Sequence, residues 1–130
     1  MAEHTAPAGR FVIHEHYAST HHFDLRLERE GTLWSWALPK GMPTDPAANR
    51  LAVRVADHDL THIDFEDTTP VSDAPAGTIT KSIWDQGIYV DVRTTEDKLV
   101  IDLVGERLDD RFAIFRTSGA NWIAHLMTEG

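Results

Sequence analysis

Four of the chain's eight histidines fall within nine residues, in the stretch His14-Glu15-His16-Tyr17-Ala18-Ser19-Thr20-His21-His22. An alternating run, His22-Phe23-Asp24-Leu25-Arg26-Leu27-Glu28, follows at once. Side chains two apart on a β-strand share a face. A strand over 22–28 therefore puts Phe23, Leu25 and Leu27 on an apolar face and His22, Asp24, Arg26 and Glu28 on a polar one. The preceding Phe11-Val12-Ile13-His14-Glu15-His16 also reads as a strand, with His14 and His16 on one face. Neutral imidazole and carboxylate are usual donors to zinc, manganese or iron. His16, His22 and Asp24, on strands expected to be neighbours, are thus candidate metal ligands. Arg26 on the same face suits a phosphate or carboxylate, because its planar fork binds two oxygens at once. His58 follows Asp57 at a predicted strand end, and His62 lies four residues on. Either is a candidate to complete a metal shell, hold an anion or act as general acid or base. The simpler reading of a histidine is a solvated residue beside an acid, and that reading is taken for His4, His21 and His125.

The elements that must position these residues are short strands. Beyond the two already named, Glu30-Gly31 marks a tight hairpin, glycine supplying the positive φ, ahead of an apolar run over 32–38. Three prolines between Pro39 and Pro46 make a loop, and residues 47–50 are expected to add a helical turn. Strands are predicted over 51–55, 60–65, 78–84, 88–92, 98–104, 111–116 and 121–127. Turns fall between them at 85–87, 94–97, 105–110 and 118–120, and a polar loop covers 66–76. Trp34, Trp36, Trp84 and Trp122 read as strand-packing residues rather than base-stacking platforms. This spacing, with almost no 3.6-residue period, predicts an all-β fold: a single compact β-barrel of about eight to ten mostly antiparallel strands with little helix. The expected organisation is a flexible lead over 1–9 and one barrel domain over 10–130.

Composition narrows the function classes. With 130 residues and 42% hydrophobic content the chain suits one soluble core. No apolar run approaches the roughly 20 residues of a membrane span, and the first nine residues lack the basic and apolar regions of a secretion signal. A cytoplasmic location is the expectation. The absence of cysteine excludes disulfides and thiolate ligands. The net charge of −9 lies wholly beyond residue 54: residues 1–54 hold six basic and six acidic residues, 55–130 six basic and fifteen acidic. That balance argues against long-range attraction of nucleic acid and leaves a local anion site in the first part.

Four ordered stretches carry a resemblance. Phe11–His16, His22–Glu28, Leu33-Trp34-Ser35-Trp36-Ala37-Leu38-Pro39-Lys40-Gly41 and Leu51-Ala52-Val53-Arg54-Val55-Ala56-Asp57-His58 together resemble the 3′-phosphoesterase domain of bacterial ATP-dependent DNA ligase D and its stand-alone relatives. Gly105-Glu106-Arg107-Leu108 and Asn121-Trp122-Ile123 fit as well, so the likeness spans about residues 10–127. The resemblance implies a compact β-barrel that binds Mn²⁺, with Zn²⁺ or Co²⁺ as other possible ions. Its implied task is to trim 3′-terminal ribonucleosides and 3′-phosphates from DNA or RNA-containing primer ends in non-homologous end joining. It implies His16, His22 and Asp24 as metal ligands, and Arg26, His58 and His62 as catalytic and phosphate-binding residues. His14 is a candidate to support these residues from behind. Implied partners are a separate ligase and polymerase, with a monomeric, membrane-free protein.

The chain departs from the family pattern at His62, where a tyrosine is common, at Ala56, where glutamate is frequent, and at His14, where glutamine is usual. No counterpart of the family's N-terminal extension is expected in the short lead, and the glycine-rich turn near 71–77 is reduced. Two other readings follow from the residues. One is a non-catalytic module that binds DNA ends or a repair partner. The other is an iron oxygenase built on His22, Asp24 and His58.

Overall fold

A computed structural model describes residues 8–17, 21–64 and 81–127, with the side chains of His62, Asp64 and Lys81 outside the description. Eight strands form it: β1 (Gly9–His16), β2 (His22–Arg29), β3 (Thr32–Leu38), β4 (Arg50–His58), β5 (Lys81–Thr95), β6 (Lys98–Gly105), β7 (Asp109–Ser118) and β8 (Asn121–Leu126). They close into a barrel in the order β1-β2-β3-β4-β8-β7-β6-β5. Two four-stranded meanders are thus joined by the β1–β5 and β4–β8 pairs, and every pairing is antiparallel. The all-β barrel expectation holds.

Alternation explains why these strands close. Phe11, Ile13, Leu25, Leu27, Trp36 and Leu38 point inward and meet Tyr89, Leu99, Ile101, Leu103, Phe112, Ile114 and Trp122 in one core. Each fully buried large side chain contributes about 1.5–3 kcal/mol through removal from water. Trp36 and Trp122 meet edge to face, 5.6 Å apart, inside the barrel. Trp34 and Trp84 are half-buried and pack against the same core. The β2–β3 hairpin turns on Glu30 and Gly31, both at positive φ (52° and 84°), the geometry whose twist suits adjoining strands.

The outer wall of β1–β3 carries a second, smaller apolar cluster: Val12, Leu33 and Ile63, with Leu60 and Ile83 against it. Its source corrects a strand expectation. Residues 60–65 were expected as a strand; Leu60–Asp64 is instead a 3-10 helix. In that helix side chains three apart eclipse, which lets Leu60 and Ile63 cover one patch. The connection from β4 to β5 must pass from one side of β1–β3 to the other, and this helix is its described part.

Two further expectations change. Asp85-Gln86-Gly87 is not a turn but lies inside the 15-residue β5. Register slips there, Ile13 pairing Asp85 and His14 pairing Ile83, so Trp84 is the extra residue of a bulge. Gly87 is needed because a Cβ there would lie 2.0 Å from the Val104 carbonyl oxygen. In place of a helical turn at 47–50, an isolated bridge joins Asp45 and Ala48. The expected loop over 66–76, the reduced turn near 71–77, the start of the strand expected from 78, and His4 lie outside the described residues. Among the described residues no helix is long and apolar enough to cross a membrane.

Candidate functional site

The β1–β2 register pairs His16 with His22, His14 with Asp24 and Val12 with Arg26. Because Phe11, Ile13, Leu25 and Leu27 face inward, the paired polar residues all face the outer wall. His16 Nδ1 lies 3.2 Å from His22 Nε2. Asp24 approaches both, at 3.4 Å from His22 Nε2 and 3.8 Å from His16 Nδ1. One donor atom from each of the three lies within 4.8 Å of the others. Donors about 2.0–2.2 Å from a common ion stand roughly 3–3.5 Å from one another. The spacing therefore fits a divalent cation, and the donor chemistry, two imidazoles and a carboxylate, fits it too.

Behind this group the polar face is not solvated. Asp24, Arg26, His14 and Ser35 are all buried, Arg26 to 2% of its free exposure. The Arg26 guanidinium donates to Ser35 Oγ at 2.8 Å and to His14 Nδ1 at 3.4 Å. It also donates to Asp24 Oδ2 at 3.4 Å and meets His58 Nδ1 at 2.9 Å. Burial pushes its pKa below the usual arginine range, and the Asp24 charge pulls it back up. Guanidinium stays protonated in proteins and has no acceptor, so His58 Nδ1 must accept. In that pairing the His58 proton sits on Nε2. The contact of His58 Nδ1 with the Ala56 carbonyl, 3.2 Å, is then not a hydrogen bond in this state.

Strand pattern alone had no way to bring His58 to Arg26, since β3 separates its strand from β2; only the resemblance grouped the two. A bulge in β4 brings them together: Leu33 pairs His58 while Ser35 pairs Val55, so β4 runs three residues against two. Arg54 clasps the bulge, donating to the Val55 carbonyl at 2.7 Å, the Ser35 carbonyl at 3.2 Å and Asp57 Oδ1 at 2.9 Å. Its guanidinium stacks over Trp34 and Trp36, 5.3 and 5.0 Å from the ring centres.

The structure thus brings His16, His22, Asp24, Arg26, His14 and His58 onto one wall. The backbone of His62 lies in the 3-10 helix over that wall, but its side chain lies outside the description. His21 and His125 are not part of the cluster; they bond Glu15 and Asn49 respectively. Two open clefts of about 430 and 450 Å³ are lined by none of the cluster residues.

Residues 14–116, a span that contains the whole cluster, match the family described as the DNA Ligase D 3′-phosphoesterase domain. The chain belongs to that family. It is 39% identical over 125 residues to the multifunctional non-homologous end joining protein LigD of Mycobacterium bovis, covering 93% of this chain and 16% of the relative. It is 40% identical over 131 residues to LigD of Mycolicibacterium smegmatis, covering 92% and 17%. It is 43% identical over 114 residues to LigD of Pseudomonas aeruginosa, covering 84% and 13%. The chain therefore spans between about an eighth and a sixth of the length of these relatives.

Sequence reading missed Ser35, a member of this wall, and Arg54, which lies over the inward-facing Trp34 and Trp36 and braces the wall through its bond to the Ser35 carbonyl. Ser35 had a signal: one hydroxyl between two tryptophans, on the face opposite them. Arg54 looked like an outward residue of an alternating strand.

Proposed function

We propose that this 3′-phosphoesterase domain is a divalent-metal-dependent hydrolase that heals 3′ ends for end joining. It removes a 3′-terminal ribonucleoside, a 3′-phosphate or both from DNA or mixed primers and leaves a 3′-hydroxyl. One observation carries the reading: a three-donor metal group adjoins a buried guanidinium through a shared carboxylate, Asp24. His16, His22 and Asp24 would hold the ion, Mn²⁺ by expectation, with Zn²⁺ or Co²⁺ able to take the same donors. When bound, it supplies positive charge beside the phosphoryl oxygens.

Arg26 would offer the phosphate its charge and the one N–H left over by its bonds to His14, Ser35, His58 and Asp24, which hold the guanidinium in place. In 3′-phosphate removal a water oxygen bonds to phosphorus while the bond to the sugar O3′ breaks; the water gives up one proton and O3′ takes up one, so the net proton count is unchanged. His58, with Nδ1 facing Arg26, would present Nε2–H as a hydrogen-bond donor to a phosphoryl oxygen. His62 is retained as a third phosphate contact. The three donors that converge are His16, His22 and Asp24, whereas His58 is engaged by Arg26, an arrangement that does not favour the oxygenase reading.

The test is release of 3′-phosphate and 3′-ribonucleoside from a primer-template, with and without Mn²⁺. Metal-dependent product is expected, and no product from a folded, metal-loaded protein would sink the reading. His22→Ala or Asp24→Ala should abolish metal binding by calorimetry. Arg26→Ala should spare it and remove turnover. A second reading, a non-catalytic end-binding module, draws on Ala56, an exposed methyl in the β4 bulge. Tight binding of 3′-phosphate ends without hydrolysis would identify it.

A further inference from the structure

At the end of the wall, β1 leaves the barrel at His16 and the chain re-enters at His22. The residues flanking these two are aromatic. The rings of Tyr17 and His21 stack 4.4 Å apart at an interplanar angle of 1°. One oxygen holds both: Glu15 Oε2 accepts from the Tyr17 hydroxyl at 3.0 Å and lies 2.9 Å from His21 Nε2. The run continues inward from His21 to Phe23 at 5.3 Å and from Phe23 to Trp84 at 5.8 Å. The Arg107 guanidinium lies over Trp84, 4.8 Å from the ring centre. Phe23 and Trp84 are anchored on the barrel core. Tyr17 is the outermost ring, 42% exposed, and among the described residues His21 is its one ring neighbour.

Two exposed rings held parallel by a shared carboxylate have already lost the rotamer freedom that binding would otherwise have to remove. They form a flat, ordered π-face one residue from His16 on one side and one residue from His22 on the other. A phosphate at Arg26 and the metal triad belongs to a nucleotide whose base must lie within one nucleotide's reach of that triad. Aromatic platforms bind bases by stacking, with little dependence on base identity because every base has a π-face.

We propose that the Tyr17–His21 stack is a subsite for the nucleobase of the nucleotide that bears the 3′-phosphate. The proposal rests on the reading that the triad and Arg26 hold that phosphate. Stacking strength then sets a graded preference, purine over pyrimidine over an abasic terminus.

The experiment is fluorescence anisotropy of labelled single strands ending in a 3′-phosphorylated purine, pyrimidine or abasic nucleotide, with Mn²⁺ present. Wild-type protein should bind in that order. Tyr17→Ala should weaken the purine end roughly 5- to 100-fold and flatten the order. Tyr17→Trp should restore it, while Mn²⁺ binding by calorimetry stays at the wild-type level in both variants. An order unchanged in Tyr17→Ala, or no order in wild-type protein, overturns the subsite and leaves the phosphate reading standing. If inorganic phosphate fails to compete and Arg26→Ala binds all three ends as wild type does, the phosphate reading fails and the subsite falls with it.

Discussion

Asp24 serves two neighbours at once, and its substitution separates them. It is a candidate ligand and, among the described residues, the carboxylate bonded to the buried Arg26. Asp24→Asn keeps the shape and removes the charge. It should abolish metal binding and cost about 3 kcal/mol in urea denaturation, because a buried guanidinium then lacks its counter-charge. Arg26→Lys is expected to behave like Arg26→Ala in anion binding, since an ammonium cannot reach Ser35, His14, Asp24 and His58 together. Both tyrosines hold their protons above the ordinary range, Tyr17 mainly through its bond to Glu15 and Tyr89 mainly through burial. As pH rises past about 10 the unfolded chain loses tyrosine protons first, so stability should fall from there up to the native pKa values. Absorbance titration of the phenolates, beside melting curves at the same pH values, checks both. At this scale much was legible: a period of two puts His16, His22, Asp24 and Arg26 on one face of one hairpin. His58 was reached only through the family resemblance, because its contact with Arg26 needs a third strand between them and a bulge that no residue pattern announces.

The elements that aim these residues are held by polar groups in irregular places. Arg54 ties the β4 bulge to the β3 backbone and to Asp57. Arg54→Met should keep the stacking on Trp34 and Trp36 in part but lose the clasp. The expected result is about 1–3 kcal/mol less stability and weaker inorganic-phosphate binding, with Mn²⁺ binding unchanged by calorimetry. Across the barrel Asp85 has a comparable duty. Its carboxylate accepts from the backbone N–H groups of Gln86, Glu106, Arg107 and Leu108, and Gly105 packs against it with no room for a Cβ. Asp85→Ala should cost about 3 kcal/mol by orphaning those donors, and leave the metal triad intact. The turn expected at 85–87 fails for a physical reason. Aspartate and glycine favour turns, but the same two residues also suit a carboxylate that gathers N–H groups and a strand that another backbone approaches closely.

Over the whole molecule the labour is divided. The candidate metal and phosphate residues come from β1, β2 and β4, with Ser35 from β3 and His62 from the 3-10 helix, so the second meander supplies none of them and acts as a frame. It also lies in the part of the chain that carries the acidic excess. Capture of a nucleic-acid end should then depend on few phosphates, and the slope of log K against log salt should be no steeper than about −2. Anisotropy across a KCl series measures it, and a steep slope would point to a basic track not seen on this wall. Closure of the barrel has a further consequence. Each of the eight strands has a neighbour on both sides along part of its length, and among the described residues the edges left over are strand ends, such as residues 81–86 of β5, which pair β1 but not β6. A partner adding a strand of its own would find only such short ends, so recruitment into a larger assembly should rest chiefly on side chains or loops.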